Sequence, residues 1–183
     1  MSESFFIKLL QSGQVRIENG TFMFLNEFFV LIPVKTFLKL RETLLEKIGA
    51  KGDDILKELG KYQVSHAVKR YSKTIGFEKL DKVKIMDFGA NVMNLMGQGD
   101  HKVLYFDNKS GKTIVASKNI PTAKEYLLIY GKSRKPIDSF VSGIWEEALS
   151  RVLNKQMICV ETKCIACGDK ICQFEIFPAK KSK

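Results

Sequence analysis

The sequence is poor in the residues that most often carry catalysis. It contains only two histidines and one tryptophan in 183 residues. His66 is predicted to lie within a helix and His101 in a polar turn. Neither can be assembled by spacing into a Ser-His-Asp triad, and no spacing indicates a pair of catalytic carboxylates. We therefore lean toward a protein without enzymatic activity.

Long apolar runs are also missing. None approaches the ~20 residues that a membrane-spanning helix needs, and the densest stretch, residues 22–34, is interrupted by Asn26 and Glu27. The first basic residue is Lys8, so the basic region of a secretory signal is absent. Hydrophobic residues make up 45% and charged residues 27% of the chain, which is typical of a globular protein in water. We expect no membrane span and a cytoplasmic location.

Arginine is scarce, although the formal net charge is +10. Only five of the 30 basic residues are Arg, the residue that makes bidentate contacts with phosphates and bases. The lysines are spread along the chain, apart from the clusters at residues 132–135 and 180–183. This pattern favours a solvated lysine surface, so we do not expect nucleic acid as a partner.

Segments with helical periodicity and strand-like segments are grouped along the chain rather than alternating. Asn19-Gly20 between two apolar segments predicts a β-hairpin, and the second long helix is predicted to bury Leu56, Leu59 and Val64. The grouping predicts an α+β fold in which an antiparallel sheet packs with a bundle of helices. The predicted strands are residues 15–18, 21–24, 28–32, 103–106, 113–116, 157–161 and 172–176, and the predicted helices are residues 33–48, 53–76, 80–96, 121–130 and 137–153.

The length fits one domain, residues 1–183, with three parts. Residues 1–100 hold the predicted N-terminal hairpin and helices, residues 101–177 hold the later strands and all the cysteines, and residues 178–183 form a basic tail. A chain of this length buries enough surface to fold without needing disulfides or a metal for that purpose.

All four cysteines lie in one short segment, in the pattern Cys159-x4-Cys164-x2-Cys167-x4-Cys172. Disulfides are not expected without a secretion signal. Gly168-Asp169 is a turn that would bring Cys172 back toward Cys164, and strand alternation places Cys159 and Glu161 on one side.

Three interpretations of this segment remain open. A zinc site would use three or four of its thiols and carboxylates. An iron–sulfur cluster is less favoured, because the fourth cysteine follows too soon for the plant-type ferredoxin arrangement. The third interpretation is a set of reduced thiols buried in the core. The candidate donors are Cys159, Glu161, Cys164, Cys167 and Cys172.

The same segment resembles the closing signature of the 4-vinyl-reductase domain family. The resemblance is carried by Glu161-Thr-Lys-Cys164-Ile-Ala-Cys167-Gly168-Asp169-Lys-Ile-Cys172-Gln-Phe174 and by the preceding Pro136–Gly143 segment, and it covers about residues 120 to 177. The family is similar in fold to the sensor domains of phenol-responsive regulators, to haem nitric-oxide-binding domains and to Golgi transport complex subunits. The resemblance implies a ligand-binding α+β domain, often a homodimer, rather than a shared reaction.

The resemblance also implies a structural zinc ion. The family's zinc-binding members match this sequence at Glu161, Cys164 and Cys172. Their fourth ligand is a cysteine at the start of the preceding helix, where this sequence has Asp138, a residue type that can also ligate zinc. Cys159 and Cys167 fall where the family varies, and either is an alternative fourth donor.

For function, we expect a sensor or carrier domain that binds a lipophilic, hydrocarbon-like small molecule in an apolar cavity. Gly143 and Ala148 are expected to leave room for it. Two alternatives stay open. One is a dimeric assembly subunit that pairs through a Phe-rich N-terminal face, and the other is a reductase of a vinyl-type substrate, for which no dinucleotide fingerprint is present. The predicted pocket residues are Val141, Ile144, Trp145, Ala148, Met93 and Met96.

Overall fold

The computed structural model describes residues 3–75 and 81–180. The predicted helix ends at Gly76 and Leu80 lie outside the described residues. The helices are α1 (Glu3–Gln11), α2 (Val34–Ile48), α3 (Lys51–Ile75), α4 (Lys82–Leu95), α5 (Pro121–Tyr130) and α6 (Ser139–Leu153), with a short 3₁₀ helix at Ile165–Cys167. The strands are β1 (Val15–Glu18), β2 (Thr21–Phe24), β3 (Glu27–Phe29), β4 (His101–Phe106), β5 (Thr113–Ser117), β6 (Met157–Lys163) and β7 (Cys172–Pro178).

The first sheet has the order β1-β2-β3 and is antiparallel throughout. Its first turn is Asn19-Gly20, with φ angles of 50° and 75°, which confirms the predicted hairpin. β3 stops at Phe29, short of the predicted end at Ile32. Phe29 pairs with Phe22, and β2 begins only one residue before Phe22, so residues 30–32 have no strand to pair with.

The second sheet has the order β4-β5-β7-β6, again with every pair antiparallel. Helices α5 and α6 precede β6 and pack near the sheet, with α6 contacting β6 and β7. Two antiparallel sheets with grouped helices confirm the predicted α+β class. Among the described helices, none combines the length and apolar character that crossing a bilayer requires.

Helices α3 and α6 approach each other closely because glycines face their contact. A Cβ atom on Gly60 would lie 2.1 Å from the carbonyl oxygen of Phe140, and one on Gly143 would lie 2.0 Å from that of Lys57. Gly143 was predicted to leave room for a ligand. That prediction is wrong, since the space beside Gly143 is filled by the backbone of α3.

The buried face of α3 repeats every fourth residue, at Gly52, Leu56, Gly60 and Val64. Leu59 falls beside this stripe and is 46% exposed, so its predicted burial is wrong. A carboxylate of α6 fixes the same contact. Glu146 accepts from Lys57 Nζ at 2.7 Å, from Lys61 Nζ at 2.8 Å and from the Cys159 N–H at 2.8 Å.

The described residues form two apolar clusters. The larger core joins the second sheet to α6 and parts of α2, α3 and α4, and includes Trp145, Leu149 and Phe174. The smaller core lies between the first sheet and α4, and its buried members are Val15, Phe24, Leu25 and Val92.

Candidate metal centre and apolar cavities

Four acidic side chains meet where α6 begins and the β6–β7 connection turns. One ligand atom from each of Asp138, Glu161, Cys164 and Cys172 lies within 4.8 Å of all the others. All four residues are buried. We call this set the acid–thiol cluster. Asp138 immediately precedes α6, Glu161 is in β6, Cys164 precedes the 3₁₀ helix, and Cys172 begins β7.

Backbone and side-chain hydrogen bonds hold the acid–thiol cluster in place. The Asp138 N–H donates to Glu161 Oε2 at 2.9 Å, and the Cys172 thiol lies 3.6 Å from Asp138 Oδ2. The Ile165 N–H donates to Cys172 Sγ at 3.3 Å. The predicted turn at Gly168 has a φ of 94°, and the Asp169 carboxylate that follows accepts from the Cys164 N–H at 2.8 Å.

The electrostatics show that the cluster holds more acid than its burial can accommodate. Burial raises the pKa of Asp138 to about 6. Burial, and next the neighbouring Asp138 charge, raise the pKa of Glu161 to about 11. Glu161 Oε1 is buried without a hydrogen-bond partner among the described residues. A bound cation would relieve both conditions, because it favours the deprotonated form of each donor.

The donor chemistry of the cluster fits zinc. Two thiols and two carboxylates are all ligands that Zn²⁺ accepts, and four protein donors leave no open position, as in structural sites. Asp138, not Cys159 or Cys167, is the fourth member of the group. Cys159 is buried elsewhere in the larger core, where burial raises the pKa of its thiol, and Cys167 is partly exposed beside the cluster.

A cavity of about 80 Å³ lies between α3, α4 and α6. We call it the inner chamber. Apart from Glu27 and Gln63, its lining is apolar. Five of the six predicted pocket residues line it, namely Ile144, Trp145, Ala148, Met93 and Met96.

A larger cavity of about 560 Å³ lies beside the first sheet and the start of α6. We call it the outer chamber. Val141, the sixth predicted pocket residue, lines this cavity and not the inner chamber. Its walls include Phe22, Phe24 and Phe37, three of the aromatic residues that crowd the N-terminal part of the sequence. Sequence reasoning missed Arg41 and Gln63, because nothing in the local pattern indicates that these polar residues face an apolar cavity.

His101 lies next to Trp145 rather than in a polar turn, so its predicted placement is wrong. It begins β4 and is 2% exposed. The Trp145 Nε1–H donates to His101 Nδ1 at 3.3 Å, and His101 Nε2 lies 3.1 Å from the Gln98 carbonyl oxygen. Burial lowers the pKa of His101 to about 4. The imidazole is therefore neutral at pH 7, accepting at Nδ1 and donating at Nε2.

A comparison with protein families matches the C-terminal part of the chain. Residues 123–178 match the model of the vinyl-4-reductase domain, which confirms the predicted resemblance to the 4-vinyl-reductase domain family. This segment contains the whole acid–thiol cluster. A search of curated proteins found no matching sequence.

Solved structures share the fold over most of the chain. The phenol-responsive sensory domain of the transcription activator PoxR, solved with phenol, is 14% identical, with a TM-score of 0.86, and the match covers 100% of this chain and 94% of that one. Subunit 3 of a trafficking protein particle complex from Naegleria fowleri, covalently bound to palmitic acid, is 14% identical, with a TM-score of 0.59 over 82% of this chain and 95% of that one. A vinyl-4-reductase family protein from Methanocaldococcus jannaschii is 19% identical, with a TM-score of 0.52 over 83% and 85% of the two chains.

Proposed function

We propose that this protein is a small-molecule sensor domain that binds a lipophilic ligand in the inner chamber and carries a structural zinc ion at the acid–thiol cluster. The observation that supports the proposal most strongly is the inner chamber itself, an apolar cavity beside Trp145 in a fold shared with a phenol-responsive sensory domain. Apolar cavities with few polar groups are the usual form of small-molecule sites.

The size and lining of the inner chamber set the ligand class. A volume of about 80 Å³ is several times the roughly 10–15 Å³ that one water molecule needs. Apolar burial contributes about 25 cal/mol per Å², so a ring-sized hydrocarbon could reach micromolar affinity without a charged partner. Met93 and Met96 in its wall can change rotamer to follow the shape of a ligand.

The proposed zinc ion would be held by Asp138, Glu161, Cys164 and Cys172, and it would supply positive charge to a buried acidic site. Its role is structural. It joins the start of α6 to the β6–β7 connection, so that α6 presents Ile144 and Trp145 to the inner chamber from a fixed position. Such a role requires no change in coordination when ligand binds.

Tryptophan fluorescence tests the ligand proposal directly, because Trp145 is the only tryptophan in the chain and lines the inner chamber. We expect phenol, alkylphenols and short isoprenoids to change its emission with saturable binding. Gly89→Leu should abolish the change, since a Cβ on Gly89 would lie 4.0 Å from the Trp145 ring and a longer side chain fills the chamber. Asp87→Leu places the same side chain on an exposed position of α4 and should leave binding intact.

Native mass spectrometry of protein purified from its source complements this test. A retained small molecule that Gly89→Leu loses would support the proposal. A protein that carries nothing and whose emission ignores every compound would contradict it.

A specific observation favours assembly as a second candidate function. Val30 and Leu31 are 84% and 77% exposed, and Ile17 and Phe28 are 74% and 73% exposed, all on or beside the first sheet. Exposed apolar residues in such number are typical of a face that binds protein. We propose that this face joins two copies in a homodimer. Light scattering should then give twice the chain mass, and Leu31→Lys should return it to 20.8 kDa.

A further inference from the structure

The inner and outer chambers share one wall. Phe29, Gln63 and Met96 line both cavities. We infer that the two cavities are chambers of a single binding site, and that its ligand is an elongated, uncharged amphiphile with its apolar end in the inner chamber and its polar end in the outer chamber. This inference rests on the proposed function, and it names the ligand class.

The shared wall is made of side chains that can move. All three residues are only partly buried. Met96 follows the last residue of α4, and its sulfur lies 4.0 Å from Gln63 Nε2, a contact at the outer limit of a hydrogen bond. Methionine is unbranched and has three rotatable side-chain bonds, so it changes rotamer at small cost. A rotation of Met96 therefore joins the two chambers without any change in the backbone.

The two chambers differ in volume and in polarity. The inner chamber holds about 80 Å³, enough for one end of a molecule, and the outer chamber about 560 Å³. Gln98 and Thr122 line only the outer chamber, and both carry hydrogen-bonding groups. The apolar end of a ligand is thus favoured inside and a hydrogen-bonding end outside.

The charged residues of the outer chamber argue against an ionic ligand. Arg41 and Asp138 are its only charged lining residues among those described. Arg41 is 2% exposed, and its guanidinium already pairs with Glu42 at 2.6 Å and with Asp53 at 3.1 Å. Only its buried Nε–H lacks a partner in the described part of the chain.

Asp138 belongs to the acid–thiol cluster and is likewise engaged. A carboxylate or an amine entering the outer chamber would therefore lose its hydration without gaining an unpaired counter-charge, which is costly. A hydroxyl or carbonyl group loses less and can exchange hydrogen bonds with the glutamine and threonine side chains. This balance selects a neutral polar end.

A chain-length series tests the inference by isothermal titration calorimetry on the full chain. The ligands are straight-chain primary alcohols of six to fourteen carbons and the carboxylic acids of the same lengths, at pH 7. We expect alcohol affinity to rise by about fourfold per methylene through the series, because each buried methylene adds a nearly constant increment. Each acid should bind at least tenfold more weakly than the matching alcohol.

Met96→Trp should block the shared wall. We expect this variant to bind the six-carbon alcohol within about twofold of the wild type and to gain nothing from longer chains. Leu128→Trp is the matched control, since Leu128 is 80% exposed and lines neither chamber, and it should keep the full gain. Circular dichroism checks the fold of both variants.

Three results would overturn the inference. They are a wild-type affinity that stops rising at the shortest chains, an undiminished gain in folded Met96→Trp, and acids that bind as tightly as alcohols. The wild-type series decides the matter even where a variant does not fold. Binding of phenol with no gain from chain length contradicts this inference alone, whereas failure of phenol and every alcohol to bind contradicts the proposed function as well.

Discussion

The two apolar cores of this protein differ in how completely they are covered. In the larger core Leu149, Phe174 and Ile176 are 0% exposed, between α6 and the second sheet. The smaller core has only four buried members, and next to it Val30 and Leu31 are almost entirely exposed. The larger core is complete within one chain. The region around the smaller core has apolar surface left over, which is what a ligand or a second copy would cover.

The difference also explains which part of the chain carries a family signature. The vinyl-4-reductase domain match, residues 123–178, falls almost entirely on elements of the larger core. There, buried donors and close backbone contacts restrict the residue at each position. The first sheet and its exposed edge impose only apolar character, which many sequences satisfy.

The largest expected effect comes from removing the proposed metal from the larger core. Purified wild-type protein should contain one zinc per chain, and Cys172→Ser should lose it together with roughly 5 kcal/mol of unfolding free energy, because metal binding to a folded site is folding free energy. Elemental analysis and thermal unfolding measure both. Cys167→Ser, outside the acid–thiol cluster, is the control and should change stability by less than about 1 kcal/mol. Iron with absorbance near 400 nm would instead indicate a cluster, and a metal-free wild type would leave buried thiols.

A pair of identical substitutions compares the two regions directly. Leu149→Ala should lower the unfolding free energy by about 3–4 kcal/mol, because it leaves a cavity in a filled core. Leu31→Ala should change it by less than about 0.5 kcal/mol in the monomer. Urea denaturation at two protein concentrations measures both. A concentration-dependent loss for Leu31→Ala would show that a second copy covers this residue, and equal losses at all concentrations would contradict the contrast drawn above.

The helix contact that joins the two regions should be nearly as sensitive. Gly143→Ala places a methyl group 2.0 Å from the Lys57 carbonyl oxygen, so α3 and α6 must separate, and we expect a loss of about 3 kcal/mol. Gly89→Ala is the matched control in α4. Its new methyl group meets only the Trp145 ring at 4.0 Å, and removing a helical glycine should stabilise the fold by up to about 1 kcal/mol. Thermal unfolding that ranks the two variants in the other order would show that the helices are not in close contact.

The smallest expected effect is a pH dependence from the boundary between the regions. Burial lowers the folded-state pKa of His101 to about 4, below its unfolded value of about 6.5. The unfolded state therefore binds the proton more readily, so the contribution to stability is complete above pH 6.5 and is lost as the pH falls toward 4. Between about pH 7.5 and pH 5 the loss should be about 2 kcal/mol.

His101→Gln is the control for this effect, since a glutamine does not titrate. The difference in stability between wild type and His101→Gln should shrink as the pH falls through this range. Urea denaturation of both proteins in chelator removes any contribution from metal. Parallel curves for the two proteins would contradict the assignment of a neutral buried histidine.

The sequence predicted most of the fold because the signals concerned were local. The Asn19-Gly20 turn needs two positive φ angles, which these residues adopt readily, and every helix predicted from periodicity is present. Leu59 was misplaced because the four-residue stripe of α3 includes two glycines, and glycine gives no hydrophobic signal. Gly143 was misread for the same reason, since only the position of α3 shows what its missing side chain admits.

The candidate site was predictable where its residues are close in sequence. Glu161, Cys164 and Cys172 lie along one β6–β7 connection, and Asp138 followed from the family resemblance. His101 was not predicted to be buried, because its polar neighbours Gly99-Asp100 indicate a turn while its burial depends on Trp145, which is 44 residues away. The outer chamber was equally hidden, since its walls come from helices and strands that are far apart in the sequence.

Helix α6 takes part in both proposed sites. Asp138 at its start belongs to the acid–thiol cluster, and one to two turns later Ile144 and Trp145 line the inner chamber. Binding free energies at two sites on one body obey reciprocity. If occupancy of the cluster changes ligand affinity by some factor, then the ligand must change the affinity for the metal by that same factor. A measurement of zinc affinity with and without ligand thus reports on signalling within the domain, even before any downstream partner is known.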